Sequence, residues 1–293
     1  MRDRELSRQD RKKKHPDNRA TLGRAVVLGT IWGMSWSTRR RIIYLTGVFI
    51  FFAIVVGGPV AYWYFNIPAT CHDGIQNQGE TAVDEGGPCL MLNPADLQPE
   101  GVLWARTFLV RPGLSDAVAY IDNPNQNAGV LQVSYELDLY DDQNSLISDL
   151  TGETFIMPGG VTPVFVGGIN TGYRVARYAQ FKFTAPLVWE KVLDPSSTIK
   201  VTNIQTTQSA SSSQVTALAT NTSVSNISNI TFVATVFDPS GNAIATSQTA
   251  LQGLAAGGGQ HIYFTWPSAF SSPVGSIDII PVLAPEADPS AER

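Results

Sequence analysis

The chain has 293 residues, 43% hydrophobic and 15% charged, with a net charge of −5 and two cysteines, a length that allows about two ordinary domains. The charge is split: residues 1–41 hold twelve Lys or Arg against four Asp or Glu, a net +8, and the rest holds eight against 21, a net −13. Such an acidic body repels phosphate and excludes nucleic acid as a partner, and the basic segment has neither aromatic interleaving nor a fold of its own.

Residues 1–41 read as a basic cytoplasmic tail. Lys12, Lys13 and Lys14 with the nearby arginines suit an anionic inner leaflet, each worth about 1 kcal/mol near the surface, or serve only to set topology. Residues 25–34, "AVVLGTIWGM", are apolar but too short to cross a membrane. They are an interfacial or partner-packing element, or no functional element at all. From Met34 onward, "MSWSTRRRIIYL" has the basic start and apolar run of a signal-anchor, which raises the hypothesis that translation begins there. N-terminal peptide mapping that recovers residues 2–33 excludes it.

Residues 42–65, "IIYLTGVFIFFAIVVGGPVAYWYF", contain no charged side chain. At about 1.5 Å per residue they reach roughly 36 Å, enough for a hydrocarbon core of about 30 Å. Arg39, Arg40 and Arg41 precede the span, and Tyr62, Trp63, Tyr64 and Phe65 end it as an aromatic belt. The positive-inside rule then puts the N-terminus in the cytoplasm and residues 66–293 outside a plasma membrane crossed once. A buried core helix would show a polar stripe. A cleaved signal peptide would need a shorter basic region and a small-x-small cleavage site. Gly57, Gly58 and Pro59 are expected to loosen or kink the outer end.

Residues 66–101 read as a juxtamembrane segment and linker. Cys71 and Cys89, separated by seventeen residues, lie on the side that permits disulfides, and a crosslink over such a loop is worth about 3 kcal/mol in the chain-entropy model. Between them Asp73, Asn77, Glu80 and Asp84 offer the hard oxygen ligands that calcium prefers. Their spacing is not that of an EF-hand loop, and the same residues serve equally as turn formers, caps and solvated acids. Both readings stay open.

Beyond the Pro- and Gly-punctuated 93–101 the chain is strand-like, with turn residues every 8 to 12 positions. In "VLQVSYELDLYD" (130–141), Val133, Tyr135, Leu137 and Leu139 alternate with Ser134, Glu136 and Asp138, giving one core face and one wet face. The region also repeats. "LYDDQNSLIS" (139–148) aligns with "VFDPSGNAIATS" (236–247), matching Asp141 to Asp238, and "DNPN" (122–125) aligns with "TNTS" (220–223), matching Asn123 to Asn221. "GETFIMPGGVTPVFVGGI" (152–169) corresponds to "SQTALQGLAAGGGQHIYFTW" (247–266). The expected fold is therefore an all-β outer part of two tandem sandwiches, 102–195 and 196–285, with a disordered tail at 286–293.

Candidate chemistry is sparse. His15 lies in the basic tail, His72 in the cysteine loop, and His261 on the wet face of a strand. No GxSxG, P-loop or HExxH motif occurs. The sequons at Asn221, Asn226 and Asn229 are expected to be turn and strand-surface positions.

Several stretches carry resemblances. "VAYIDNPNQNAGVLQVSYELDLYD" resembles the LEA14-like or WHy type of immunoglobulin-like sandwich. "LDLYD" (137–141) and "ATVFD" (234–238) resemble the FxLYD-type domain of bacterial surface proteins, with Leu137 and Ala234 in place of its Phe. The loop is similar to the C-x-D-G-x-x-N-x-x-E-x-x-x-D-C-G-G-x-C-x-x-C motif of secreted bacterial proteins, matched at Cys71, Asp73, Gly74, Asn77, Glu80, Asp84, Gly86, Gly87 and Cys89. Glu85 and Leu92 replace its other two cysteines. If that motif pairs first with third and second with fourth, this chain has lost one whole bridge. The resemblance implies two immunoglobulin-like sandwiches on one helix in a bacterial envelope, and no established activity. The expected function is a non-enzymatic, membrane-anchored scaffold or interaction protein with an unidentified envelope partner. The alternative is a small-ligand or glycan-binding sensor module. A hydrolase would need clustered Asp and Glu that sequence does not reveal.

Overall fold

The computed structural model describes residues 35–65 and 70–291. The basic tail up to residue 34, with His15, the apolar stretch 25–34 and the Met34 start, lies outside the described residues, as do 66–69 and 292–293. The chain divides into two units, Met1–Pro68 and Ala69–Arg293.

In the first unit one helix, α1 (Trp36–Phe65), has 30 residues, none of them buried, and is long and apolar enough to cross a membrane. It starts six residues before the uncharged run, because Ser35 accepts backbone bonds from Thr38 (3.0 Å) and Arg39 (3.1 Å) and so nucleates the first turn ahead of the arginines. The Arg40 guanidinium lies 3.9 Å over the Trp36 ring. A π-helical stretch, Ala53–Gly57, widens the helix just before Gly58 and Pro59. Pro59 has no N–H and its ring clashes with the carbonyl four residues back, so a wider turn relieves the strain where the sequence predicts a kink.

In the second unit two sandwiches follow one another. The first is built from β1 (Gly101–Arg111), β2 (Leu114–Asn123), β3 (Ala128–Tyr140), β4 (Leu146–Ile156), β5 (Gly160–Asn170), β6 (Tyr178–Phe183) and β7 (Glu190–Leu193). One sheet has the order β1-β2-β5; in the other, β3 is flanked by β4 on one side and by β6 and β7 on the other. The second is built from β8 (Ile199–Gln208), β9 (Ser213–Asn221), β10 (Ile227–Phe237), β11 (Ala243–Leu254), β12 (Gly259–Trp266) and β13 (Ser276–Val282), and β14 (Glu286–Ala287) then joins a sheet of the first. Its sheets, β8-β9-β12 and β11-β10-β13, repeat the same order.

Each core comes from alternate positions. Ala117, Ala119 and Ile121 of β2 face Val133, Leu137 and Leu139 of β3, while Val215, Ala217 and Ala219 of β9 face Phe232, Ala234 and Val236 of β10. The intervening residues pack as well: Val118 and Tyr120 of β2 meet Val233 of β10, with Trp104, Phe165 and Ile280 around them. The β1-β2-β5 sheet thus turns its second face onto the second face of β11-β10-β13. This is why 117–121, "AVAYI", is apolar without a break: the strand is covered on both sides.

The repeated turn residues do the same work in each copy. Asn123 is fully buried, and its Nδ2 donates to Ala128 O (2.7 Å) and Met157 O (2.9 Å). Asn221, also fully buried, donates to Ser225 O (2.7 Å) and Leu254 O (3.3 Å). Asp141 Oδ1 accepts from the amides of Gln143 and Ser145, and Asp238 Oδ1 from those of Ser240 and Asn242. Burial of Asn221 corrects its expected surface placement.

The expectation of a disordered tail at 286–293 differs from the structure over 286–291, residues 292–293 lying outside the described residues. β14 pairs with β7, and Asp288 N–H donates to Lys191 O at 2.9 Å. The reason is a free strand edge elsewhere in the fold, which the composition of the tail does not announce.

Candidate functional site

The cysteine loop is built as follows. Cys71 and Cys89 are joined by a disulfide, with Cα atoms 5.4 Å apart. Gly86 and Gly87 adopt positive φ, and a Cβ at Gly87 would lie 2.6 Å from Gly79 O, so the tight return before Cys89 requires glycine. The four candidate oxygen ligands are mostly turned onto the loop's own backbone. Asp84 accepts from the amides of Asp73 (3.1 Å) and Gly74 (3.1 Å). Asp73 accepts from Ile75 N (2.8 Å) and from Asn77 Nδ2 (2.9 Å), and the Asn77 amide is the main cause holding the Asp73 carboxyl below its ordinary range. Glu80, only 6% exposed, accepts from Asn77 N (3.1 Å), and its Oε1 lies 3.2 Å from Cys89 Sγ. That sulfur is oxidised and carries no hydrogen, so the contact is steric packing rather than a hydrogen bond. Asn77 Oδ1 is buried without a partner. The loop therefore brings Asp73, Asn77, Glu80 and Asp84 together as a hydrogen-bonded knot.

The loop leaves Cys89 along the first sandwich. Leu92 N–H donates to Trp189 O and Lys191 N–H to Leu90 O, both at 2.9 Å, and Leu92 packs on the core. Lys191 N–H and C=O point to one side of β7, away from β3, so residues 90–92 and β14 share that edge. Lys191 Nζ also reaches Gly87 O.

For chemistry, His72 and His261 are exposed, and His261 lies 6.4 Å from the Tyr263 ring on the outer face of β12. The clustering of acids invisible in sequence is present on the outer face of the β4-β3-β6 sheet. Carboxylate oxygens of Glu136, Asp138 and Asp149 lie within 4.8 Å of one another. Alternation alone put Glu136 and Asp138 on one face; the Asp138–Asp149 register added the third. Lys182, paired opposite Glu136, forms ion pairs with Glu136 and, at 3.8 Å, with Asp138. Asp138 is 7% exposed, against the expectation of a wet face, because Tyr140 and Lys182 fold over it. Burial, then the neighbouring Glu136 charge, push its pKa up.

Clefts of about 490, 600, 580 and 400 Å³ open among the described residues of the second unit. Among the described residues no histidine lines any of them, and the acidic cluster opens into none.

No family model matches the chain, and no curated protein does. Some solved structures give a distant likeness. They include a beta-glucuronidase from glycoside hydrolase family 2 (12% identity, TM-score 0.21, 59% of this chain and 24% of that one). Red sea bream transglutaminase gives 10% identity and a TM-score of 0.19 over 62% of this chain and 31% of that one. The Bacteroides uniformis beta-glucuronidase gives 10% and 0.19 over 55% and 22%. The chain covers 22% to 31% of the length of these structures, and at such scores neither fold nor chemistry is carried across.

Proposed function

We propose that this protein is a single-pass, membrane-anchored scaffold or interaction protein that presents two immunoglobulin-like sandwiches outside the plasma membrane to another envelope component, with its N-terminus in the cytoplasm. The observation that carries the reading is the order along the chain: Arg39–Arg41, a fully exposed apolar helix, then a disulfide beginning six residues after the helix ends. Disulfides persist in oxidising compartments and basic residues stay on the cytoplasmic side, so both features favour the same orientation. The immunoglobulin-like reading is supported by the strand order, with strands one, two and five in one sheet and four, three and six in the other, in both copies. The partners in this reading are the bilayer and an envelope protein. The net −13 beyond residue 41 opposes nucleic acid.

Crosslinking in native membranes followed by co-purification tests the partner. Protease added to intact cells tests the orientation: it should reach the sandwiches and spare the N-terminal tail, and the opposite pattern would discard the topology.

A further inference from the structure

Beyond residue 41 the chain is strongly acidic, yet the cleft of about 580 Å³ between β1, the start of β6 and the start of β11 has no carboxylate in its lining and two guanidinium groups. Arg106 comes from β1 and Arg177 from the segment entering β6. The clefts of about 490, 600 and 400 Å³ each have an Asp or Glu in the wall, and the last of them shares Arg177 with this one. Arg106 spends little of its donor capacity: Nη1 reaches Ala243 O at 3.5 Å, and the guanidinium carbon sits 5.9 Å from the Trp104 ring. Arg177 is anchored through its backbone, N–H to Tyr140 O at 2.8 Å, and its exposed side chain makes no hydrogen bond or ion pair among the described residues. Tyr178 and Ser271 are polar residues of the same lining, while the Thr107 hydroxyl donates to Asp116 O at 3.3 Å. Two carboxylates lie outside the lining: Asp238, which feels the Arg106 charge and is occupied with the backbone and side-chain N–H groups of Asn242, and Asp116, which borders the neighbouring cleft with Arg177 and accepts from Gly168 N–H.

Two guanidinium groups brought in by separate elements, with no carboxylate in the lining they share, suit a doubly charged oxyanion. We propose that this cleft binds a phosphate-bearing small ligand, with the phosphate held by Arg106 and Arg177 and the body of the ligand along the wall that includes Tyr178 and Ser271. The volume lies in the range of small-molecule sites. The site does not depend on the membrane orientation, so its failure and the failure of that reading are separable.

Calorimetry and thermal-shift measurements on the detergent-solubilised full chain, with inorganic phosphate, pyrophosphate and glycerophosphate as probes and acetate as control, test it. Saturable binding is expected, tighter for the phosphates than for acetate and weakened by added salt. Arg177→Gln and Arg106→Gln should each weaken it by at least about tenfold, while Lys200→Gln, a charge change outside the cleft, leaves it unchanged. If Arg106→Gln lowers the melting temperature, Arg177→Gln decides alone, since its side chain bonds nothing in the fold. The proposal is overturned by the absence of saturable binding up to about 10 mM, a concentration far weaker than specific sites need. It is equally overturned by wild-type affinity in Arg177→Gln, or by an equal loss in Lys200→Gln.

Discussion

Asn123 and Asn221 hold the same place in the two sandwiches, each ending the central strand of its sheet and tying it through Nδ2 to the close of the facing hairpin. Each is fully buried, and its Oδ1 accepts an amide two residues on, from Asn125 and Ser223 respectively. Truncation to Ala would strand buried carbonyls as well as remove bonds. Each Asn→Ala variant should lose about 2 to 3 kcal/mol in denaturant unfolding, and a loss below half a kcal/mol in both would refute the assigned role.

Tyr120 lies between the sandwiches, 4% exposed, its ring stacked on Trp104 at 4.2 Å. Neither its hydroxyl nor that of Thr235 has a hydrogen-bond partner in geometry. Burial, only partly relieved by the nearby Thr235 hydroxyl, pushes its pKa up to about 12. The folded state therefore keeps a proton that the unfolded chain releases above about pH 10, and stability should fall as pH rises from 10 to 12. Tyr120→Phe should match or exceed wild-type stability at neutral pH and flatten that alkaline limb, as followed by thermal melts across pH.

Asp138 is a buried carboxyl beside Glu136 and Asp149, its pKa raised by burial and then by Glu136. A raised acid binds protons more tightly when folded, so its contribution is greatest at low pH and is lost as pH rises through the folded value. Asp138→Asn should therefore cost nothing at pH 7, or gain up to about 1 kcal/mol, and shift the acid side of the stability profile. A clear loss at pH 7 would mean that the Lys182 pair outweighs the repulsion.

The cysteine loop meets the first sandwich through the backbone bonds of 90–92 with 189–191, beyond Cys89, and through Lys191 Nζ on Gly87 O. Reduction should remove the protection of the amides of Asp73, Gly74 and Asn77 against hydrogen exchange, with the local cost of about 3 kcal/mol expected for such a loop. The main melting transition should barely move. A large fall of that transition on reduction would show that the loop is part of the cooperative core.

Millimolar calcium should leave the melting temperature unchanged, since Asp84 and Asp73 already accept backbone or amide N–H groups. A saturable upward shift, abolished by Asp84→Asn, would reinstate the ion reading.

Much of the fold was legible because its signals are local. Alternation in 130–141 placed Val133, Leu137 and Leu139 inward, and the spacing of Asn and Asp in two copies announced one turn used twice. The sites were less legible. Glu136 and Asp138 share a face by alternation, but Asp149 and Lys182 join them only through cross-strand register. Arg106 and Arg177 are far apart in sequence and line one cleft only because β1 and the segment entering β6 border it.

By itself the sequence determined the apolar helix, the all-β body behind it and its internal repeat, since each follows from the period and composition of neighbouring residues. Only the tertiary structure decided that two sheets cover each other's second faces, that the C-terminal segment pairs with β7, and which charges face one another. Those outcomes depend on distant backbone edges and strand registers, and no local pattern encodes them.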